Sequence, residues 1–259
     1  MDDHMQAGAV CGPDSRDIAE AAHPAANVSA VGTRIDIVSD AICPWCYIGK
    51  RQLERALVGL ATEGLVFTVH WNPFQLNPDM PKEGRDRAAY RTWKFGGAEK
   101  AAALDARITQ AAQGVGLSIR TDLMTRTPNT IDAHRLIWYA SRNDLAPAKA
   151  ADVQDAVMEA VFKAYFTEGR DIGDHVVLSA CAAEAGLDQA DVLNFLAGDL
   201  AEQEMRAADQ AAREAGVSGV PSFFLDGYGL FSGAMPAETI ANALRRGRGI
   251  LLEQQERPA

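Results

Sequence analysis

Ser39-Asp-Ala-Ile-Cys-Pro-Trp-Cys-Tyr-Ile-Gly-Lys50 decides the architecture of this chain, because it joins two kinds of periodicity. Upstream, Arg34-Ile-Asp-Ile-Val-Ser-Asp40 alternates apolar and polar residues, with Ile35 and Ile37 on one face, as a short strand does. Downstream, Leu53, Ala56, Leu57 and Leu60 fall at helical spacing, which predicts a helix from Trp45 to about Ala61 with Gly64 as its stop. Leu65-Val-Phe-Thr-Val-His-Trp71 is again rich in β-branched and aromatic residues, a second strand. Strand, helix and strand in succession with so short a crossover make a parallel βαβ unit. Cys43 and Cys46 sit at its strand-to-helix junction.

That position suits disulfide exchange. The thiolate is the nucleophile, so the chemistry needs a cysteine whose ionised form is stabilised. A helix start supplies unpaired N–H groups and the positive end of the helix dipole beside Cys43. Pro44 takes the first helical position, where its missing N–H is harmless. Cys46 lies one turn on, within reach of a mixed disulfide formed at Cys43, so Cys43 attacks and Cys46 resolves. Three plainer readings compete. A structural zinc site wants four ligands, but Cys11 and Cys181 are solitary and no His-x-x-x-His pattern accompanies them. A static disulfide suits neither the junction nor a reducing compartment. A merely buried pair leaves the adjacent Pro-Trp without a reason.

Outward from this unit, residues 1–32 are rich in Ala, Gly, Asp and Pro without sustained period and are expected to form a flexible extension. Residues 33–82 form the first α/β half. Residues 83–215 change to alanine-rich helical periodicity, with helices expected near 98–113, 131–142, 147–167, 174–185, 188–197 and 199–215. Asp174 and Asp188 are the expected N-caps, and Gly169 and Gly186 the stops. Residues 216–259 return to α/β: Ser222-Phe-Phe-Leu225, the turn Asp226-Gly227 and Gly229-Leu-Phe-Ser232 form a hairpin, and Pro236 opens a last helix to about Arg246. The fold class is α/β with a large all-helical insertion.

Composition narrows the function. The chain has 259 residues, 35 acidic against 25 basic, for a net charge of −10, and shows no basic run. Nucleic-acid binding depends on Lys and Arg neutralising phosphates, so it is not expected. No apolar stretch approaches the roughly 18 residues that span a bilayer. The start, Met-Asp-Asp-His-Met, lacks the basic and apolar regions of a secretory signal, so a cytoplasmic location is expected. Four cysteines are too few for a disulfide framework.

Other residues carry weaker signals. Val217-Ser-Gly-Val-Pro221 precedes a strand, where a trans proline is the ordinary reading and a cis one would expose the Val220 backbone to a substrate chain. His134, on a predicted helix, either lines the dithiol cleft and tunes the Cys43 thiolate or bonds to a neighbour within the fold. Asn129 and Thr130 are candidate caps for that helix. Trp45, Phe74 and Trp138 form either an apolar rim for substrate or ordinary core. Cys181 reads as packing, and Cys11 as incidental or as one half of a regulatory disulfide.

The motifs Cys43-Pro-Trp-Cys-Tyr-Ile-Gly-Lys50, Trp71-Asn-Pro-Phe-Gln-Leu-Asn-Pro-Asp-Met80, Asn129-Thr-Ile-Asp-Ala-His-Arg-Leu136, Ala164-Tyr-Phe-Thr-Glu-Gly-Arg-Asp171 and Gly219-Val-Pro-Ser-Phe-Phe224 occur in order. Over about Arg34 to Arg246 the chain thereby resembles the DsbA-like thioredoxin superfamily, and within it the FrnE-like cytoplasmic thiol–disulfide oxidoreductases. The resemblance implies a thioredoxin fold carrying the helical insertion, a nucleophilic Cys43, a resolving Cys46 and a cis Pro221 facing them. Pro44, Trp45, Val220, Pro221 and His134 are the candidate substrate contacts. Protein or peptide thiols and disulfides are the expected partners, with glutathione as redox partner and no cofactor beyond the Cys43–Cys46 pair. Where thioredoxins place a buried acid, six residues before the first cysteine, this chain has Ile37, and Asp36 and Asp40 are expected on the opposite strand face. The rival enzyme class is a glutathione-dependent isomerase or transferase, like 2-hydroxychromene-2-carboxylate isomerase and the kappa-class transferases, in which a Ser typically stands where Cys43 does. A redox-inert binding module, such as a holdase using the cleft, is the third class.

Overall fold

The computed structural model describes residues 33–142 and 147–255. Strand β1 (Thr33–Ser39) runs into helix α1 (Pro44–Thr62), which returns the chain to strand β2 (Phe67–Pro73). β1 and β2 pair in parallel, Ile35 opposite Val69 and Ile37 opposite Trp71. Strands β5 (Ser222–Leu225) and β6 (Tyr228–Ser232) come from the other end of the chain, and β5 lies antiparallel to β1, with Ile37 opposite Phe223. The sheet order is β2-β1-β5-β6. The hairpin turn holds Asp226 and Gly227 at positive φ, as a two-residue hairpin with right-handed twist requires.

Between β2 and β5 lies the helical insertion: α2 (Arg87–Phe95), α3 (Ala98–Gly114), α4 (Ile131–Ser141), α5 (Pro147–Phe162) continued by a π-helical turn at Lys163–Thr167, α6 (His175–Glu184), α7 (Gln189–Ala197) and α8 (Glu202–Glu214). A two-residue ribbon, β3 (Arg85–Asp86) with β4 (Arg126–Thr127), ties its start to its middle. α9 (Ala237–Gln255) closes the chain against α1 and runs about nine residues past the expected end. α5 packs on β2 and anchors the insertion to the sheet. One apolar core runs through both parts, from Ile35, Ile37 and Phe223 in the sheet to Met158, Phe162 and Leu178 in the helices.

Local chemistry explains the boundaries. The Asp174 and Asp188 side chains accept from Val176 N and Asp191 N, satisfying first-turn donors. At α4 the cap is divided: Asn129 Oδ1 accepts from Ile131 N at 2.9 Å, whereas Thr130 makes no side-chain cap bond. Gly169 has φ +69°, and a Cβ there would stand 2.5 Å from Leu123 Cβ, so only glycine fits. Helix α2 was not among the helices expected from periodicity. None of its residues is buried, and the side it turns toward the fold carries Arg87, Arg91 and Lys94, so its amphipathicity makes no apolar stripe there.

Candidate active site

The site is built at the end of β1. Ser39 is the last strand residue, and a turn closed by Cys43 N donating to Asp40 O, at 3.0 Å, delivers Cys43 to the start of α1. Cys43 is the N-cap, with extended backbone at φ −88° and ψ 111°, and Pro44 opens the helix. The Cys43 carbonyl accepts from Cys46 N at 3.0 Å and Tyr47 N at 3.4 Å, which places Cys46 on the first turn. The Val220–Pro221 peptide is cis. The Cys43 thiol donates to the Val220 carbonyl at 3.5 Å. Gly49 lets α1 approach this loop, since a Cβ there would lie 3.1 Å from Pro221 Cγ. Residues 177 apart in sequence, Cys43 and Val220, therefore meet across the junction of the two α/β halves. Both cysteines are buried.

Beneath the turn lies a carboxylate that strand alternation misplaced. Asp40 is fully buried: its Oδ2 accepts from Leu76 N at 2.7 Å and its Oδ1 from Ile42 N at 3.4 Å. β1 ends at Ser39, so the alternation that puts Asp36 outward, against Arg34, has no authority over the next residue. His134, from α4, reaches the same place. Its Nε2 lies 3.2 Å from the Phe74 carbonyl and 3.5 Å from Asp40 Oδ1. A carbonyl can only accept, so Nε2 carries the proton in that bond. His134 is buried, and with Ser39 and Trp138 it lines a depression on the α4–α8 side.

A second polar group holds α1 from behind. Lys50, buried in the fold, pairs with Glu54, with Asp155 at 2.9 Å and with Glu159 at 3.4 Å. Arg51 bonds Glu54 and Glu159, Tyr47 OH donates to Glu159 at 2.9 Å, and Trp71 Nε1 donates to Asp155 at 2.9 Å. Burial pushes the Lys50 ammonium down, but Asp155 and Glu54 outweigh it and the group stays above its usual value. Burial pushes the Tyr47 phenol up, and the Glu159 charge adds to that. The Tyr47 ring stacks on Phe162, centroids 5.0 Å apart. The helix that carries the dithiol is thus clamped to α5 one turn past Cys46. The one mark of this network in the sequence is Lys50, a lysine amid the apolar positions of α1.

The aromatics divide. Trp45 lines a cavity of about 150 Å³ beside Pro44, with Tyr90 and Phe95 of α2 in its far wall. Phe74 is fully buried core, because it follows β2 into the junction with α4, so it is no part of a rim. Trp138 packs on Phe195, donates to Glu204 and lines a different depression, on the α4–α8 side. Cys181 is buried, its thiol 3.7 Å from the Ala160 carbonyl and pushed up to about 11 by burial. Such a thiol is a packing residue with little thiolate at neutral pH. Cys11 lies outside the described residues. Among the described residues no group of three or more His, Cys, Asp and Glu is arranged to hold a metal, and no helix is long and apolar enough to cross a membrane.

The family model of the DSBA-like thioredoxin domain matches residues 34–245. The chain belongs to this family. Among solved structures of the DSBA-like domain, a probable DsbA oxidoreductase from Streptomyces coelicolor is 33% identical, with TM-score 0.72, covering 88% of this chain and 92% of that one. The uncharacterized protein YwbO of Bacillus subtilis (strain 168) is 28% identical over 195 residues, 74% of this chain and 86% of its own. The cytosolic disulfide reductase DsbM from Pseudomonas aeruginosa shares the fold at 20% identity and TM-score 0.54, covering 83% of this chain and 98% of that one. DsbM also has a structure with glutathione. The thioredoxin fold with its helical insertion is therefore that of the DSBA-like family, as the motifs implied.

Proposed function

We propose that the chain is a thiol–disulfide oxidoreductase that exchanges protein or peptide disulfides through Cys43 and Cys46. The observation that carries the reading is the seat of Cys43. It caps α1, its sulfur faces the Val220 carbonyl of a cis-proline loop, and a second cysteine follows one turn on. In the reducing direction, the Cys43 thiolate attacks one sulfur of a substrate disulfide. That S–S bond breaks, the other substrate sulfur leaves as a thiolate and takes a proton, and a Cys43–substrate mixed disulfide forms. The Cys46 thiolate then attacks the Cys43 sulfur, the second substrate thiol is released, and the protein ends as the Cys43–Cys46 disulfide. Two electrons have passed from protein to substrate; the same steps reversed oxidise a substrate dithiol.

In this reading Val220 and Pro221 present the backbone that an extended substrate chain pairs with, and Pro44 and Trp45 flank the reacting sulfur. His134 and Asp40 position the turn that holds Cys43. No cofactor beyond the cysteine pair is needed, and glutathione is the proposed small-molecule exchange partner. A cytoplasmic site of action belongs to the same proposal, since disulfide-poor chains suit reducing compartments and four cysteines in 259 residues is few. A glutathione-dependent isomerase needs one nucleophilic position only and leaves Cys46 without a task. The test is Cys43→Ser: it should abolish turnover of 2-hydroxyethyl disulfide, and retained activity would sink the assignment.

A further inference from the structure

Beside Pro44 and Trp45, the chain neighbours of Cys43 on its helical side, the cavity of about 150 Å³ has an unusual wall. Arg87, Arg91, Lys94 and Arg107 all line it, and no acidic side chain does. This concentration of positive charge stands in a chain whose net charge is −10. One carboxylate, Asp105, lies behind the wall and pairs with Arg87 at 3.0 Å and Arg91 at 2.6 Å. Arg107 makes no ion pair with a described residue; its guanidinium lies over the Trp45 ring, 5.8 Å from the centroid. Lys94 lies over Tyr90 at 5.7 Å and bonds the Asn77 side-chain oxygen. Arg91 Nε is buried without a hydrogen-bond partner among the described residues. A buried donor left this way asks for an acceptor.

We propose that this cavity is the selectivity pocket of the exchange reaction, seating a carboxylate carried within a residue or two of the substrate's reacting sulfur. The proposal rests on the dithiol reading above and names its substrate class: acidic peptide disulfides. Arg107 and Lys94 meet the carboxylate, while Trp45, Tyr90 and Phe95 cover the apolar stem that carries it. Such charge-assisted bonds are roughly twice as strong as neutral ones, and because Arg107 is exposed and Lys94 half-buried they weaken with salt. An acidic residue flanking a protein cysteine and the carboxylates of glutathione offer the same chemistry, and the assay separates them.

The assay mixes the reduced, full-length protein, with Cys11 and Cys181 replaced by serine, with disulfides in single turnover, so the Cys43–Cys46 dithiol is the only electron source. Three peptide disulfides differ at one position beside the cysteine: Glu, Gln or Lys. Glutathione disulfide and uncharged 2-hydroxyethyl disulfide complete the set. The Glu peptide should react about 10-fold faster than the Gln peptide, and the gap should shrink as salt screens the charges. Arg107→Met with Lys94→Met should bring the Glu/Gln ratio to within about 2-fold of unity. Arg107→Glu should turn the preference toward the Lys peptide, an outcome no unfolded variant produces. Saturable, Arg107-dependent reduction of glutathione disulfide would mark the tripeptide as the source; a Glu preference without it would mark protein segments. Equal Glu and Gln rates with normal reduction of 2-hydroxyethyl disulfide, or a Glu preference that survives both variants, would overturn the pocket alone. If no disulfide reacts at all, the dithiol reading itself fails and takes the pocket with it.

Discussion

Replacing Asp40 tests whether the dithiol turn is held by a buried carboxylate. Asp40 is fully buried, and its one short bond is the 2.7 Å contact from Leu76 N. A hydrogen bond to a charged acceptor contributes about 1.5–3 kcal/mol, and stranding a buried donor costs about 1–3 kcal/mol. These describe the same loss from two sides, so they are not summed. The contacts from Ile42 N at 3.4 Å and His134 Nε2 at 3.5 Å are long and add little. Asp40→Ala should therefore destabilise the protein by about 2–3 kcal/mol. For a chain of this size that lowers Tm by roughly 4–12 °C. Asp40→Asn keeps an acceptor for Leu76 N and loses only the charge, so about 1 kcal/mol should go. Urea unfolding followed by far-UV circular dichroism measures both, with an unchanged m-value as the sign that only stability moved. An Asp40→Ala loss below about 0.5 kcal/mol, or equal losses for Ala and Asn, would mean that the carboxylate does not hold the turn.

Gly169 and Gly64 both have positive φ, but only Gly169 also meets Leu123 at 2.5 Å. Gly64→Ala should cost about 1 kcal/mol and Gly169→Ala about 3 kcal/mol or more, as read by thermal unfolding. Burial pushes the Asp132 carboxyl up, yet bonds from His175 and Arg135 outweigh it and hold it below the usual carboxylate value. A depressed folded pKa gives stability that is complete above roughly pH 5 and lost as pH falls below about 4, and Asp132→Asn should flatten that part of the stability–pH curve. Cys181 should resist iodoacetamide at pH 8 in the native protein and react fully in urea, as mass spectrometry of its peptide would show.

Where the sequence was informative, the signal was local and periodic. Ile35 and Ile37 announced the strand, Asp174 and Asp188 the caps, and Pro44 after Cys43 the helix start; each depends on its near neighbours alone. The parallel pairing of β1 with β2 followed from a crossover too short for another solution. What stayed hidden depends on tertiary contact. Asp40 lies one residue past the strand, where alternation stops predicting direction, and its one short bond comes from Leu76, 36 residues away. Helix α2 turns Arg87, Arg91 and Lys94 toward the fold, so apolar periodicity does not reveal it, yet it lines the cavity beside Trp45. Phe74 and Trp138 looked equivalent to Trp45 as aromatics. One is sealed into the core and the other serves a different face, because long-range packing sorts side chains that composition cannot.

Cys43 and Cys46 should form one reversible dithiol couple. The most direct test equilibrates a variant lacking Cys11 and Cys181 with glutathione buffers of graded potential and counts free thiols. A single transition is expected, in which two thiols appear and disappear together, with the two-electron slope of about 30 mV per tenfold change. Thiols that stay unchanged across the whole range, or that titrate singly as mixed disulfides with glutathione, would contradict it.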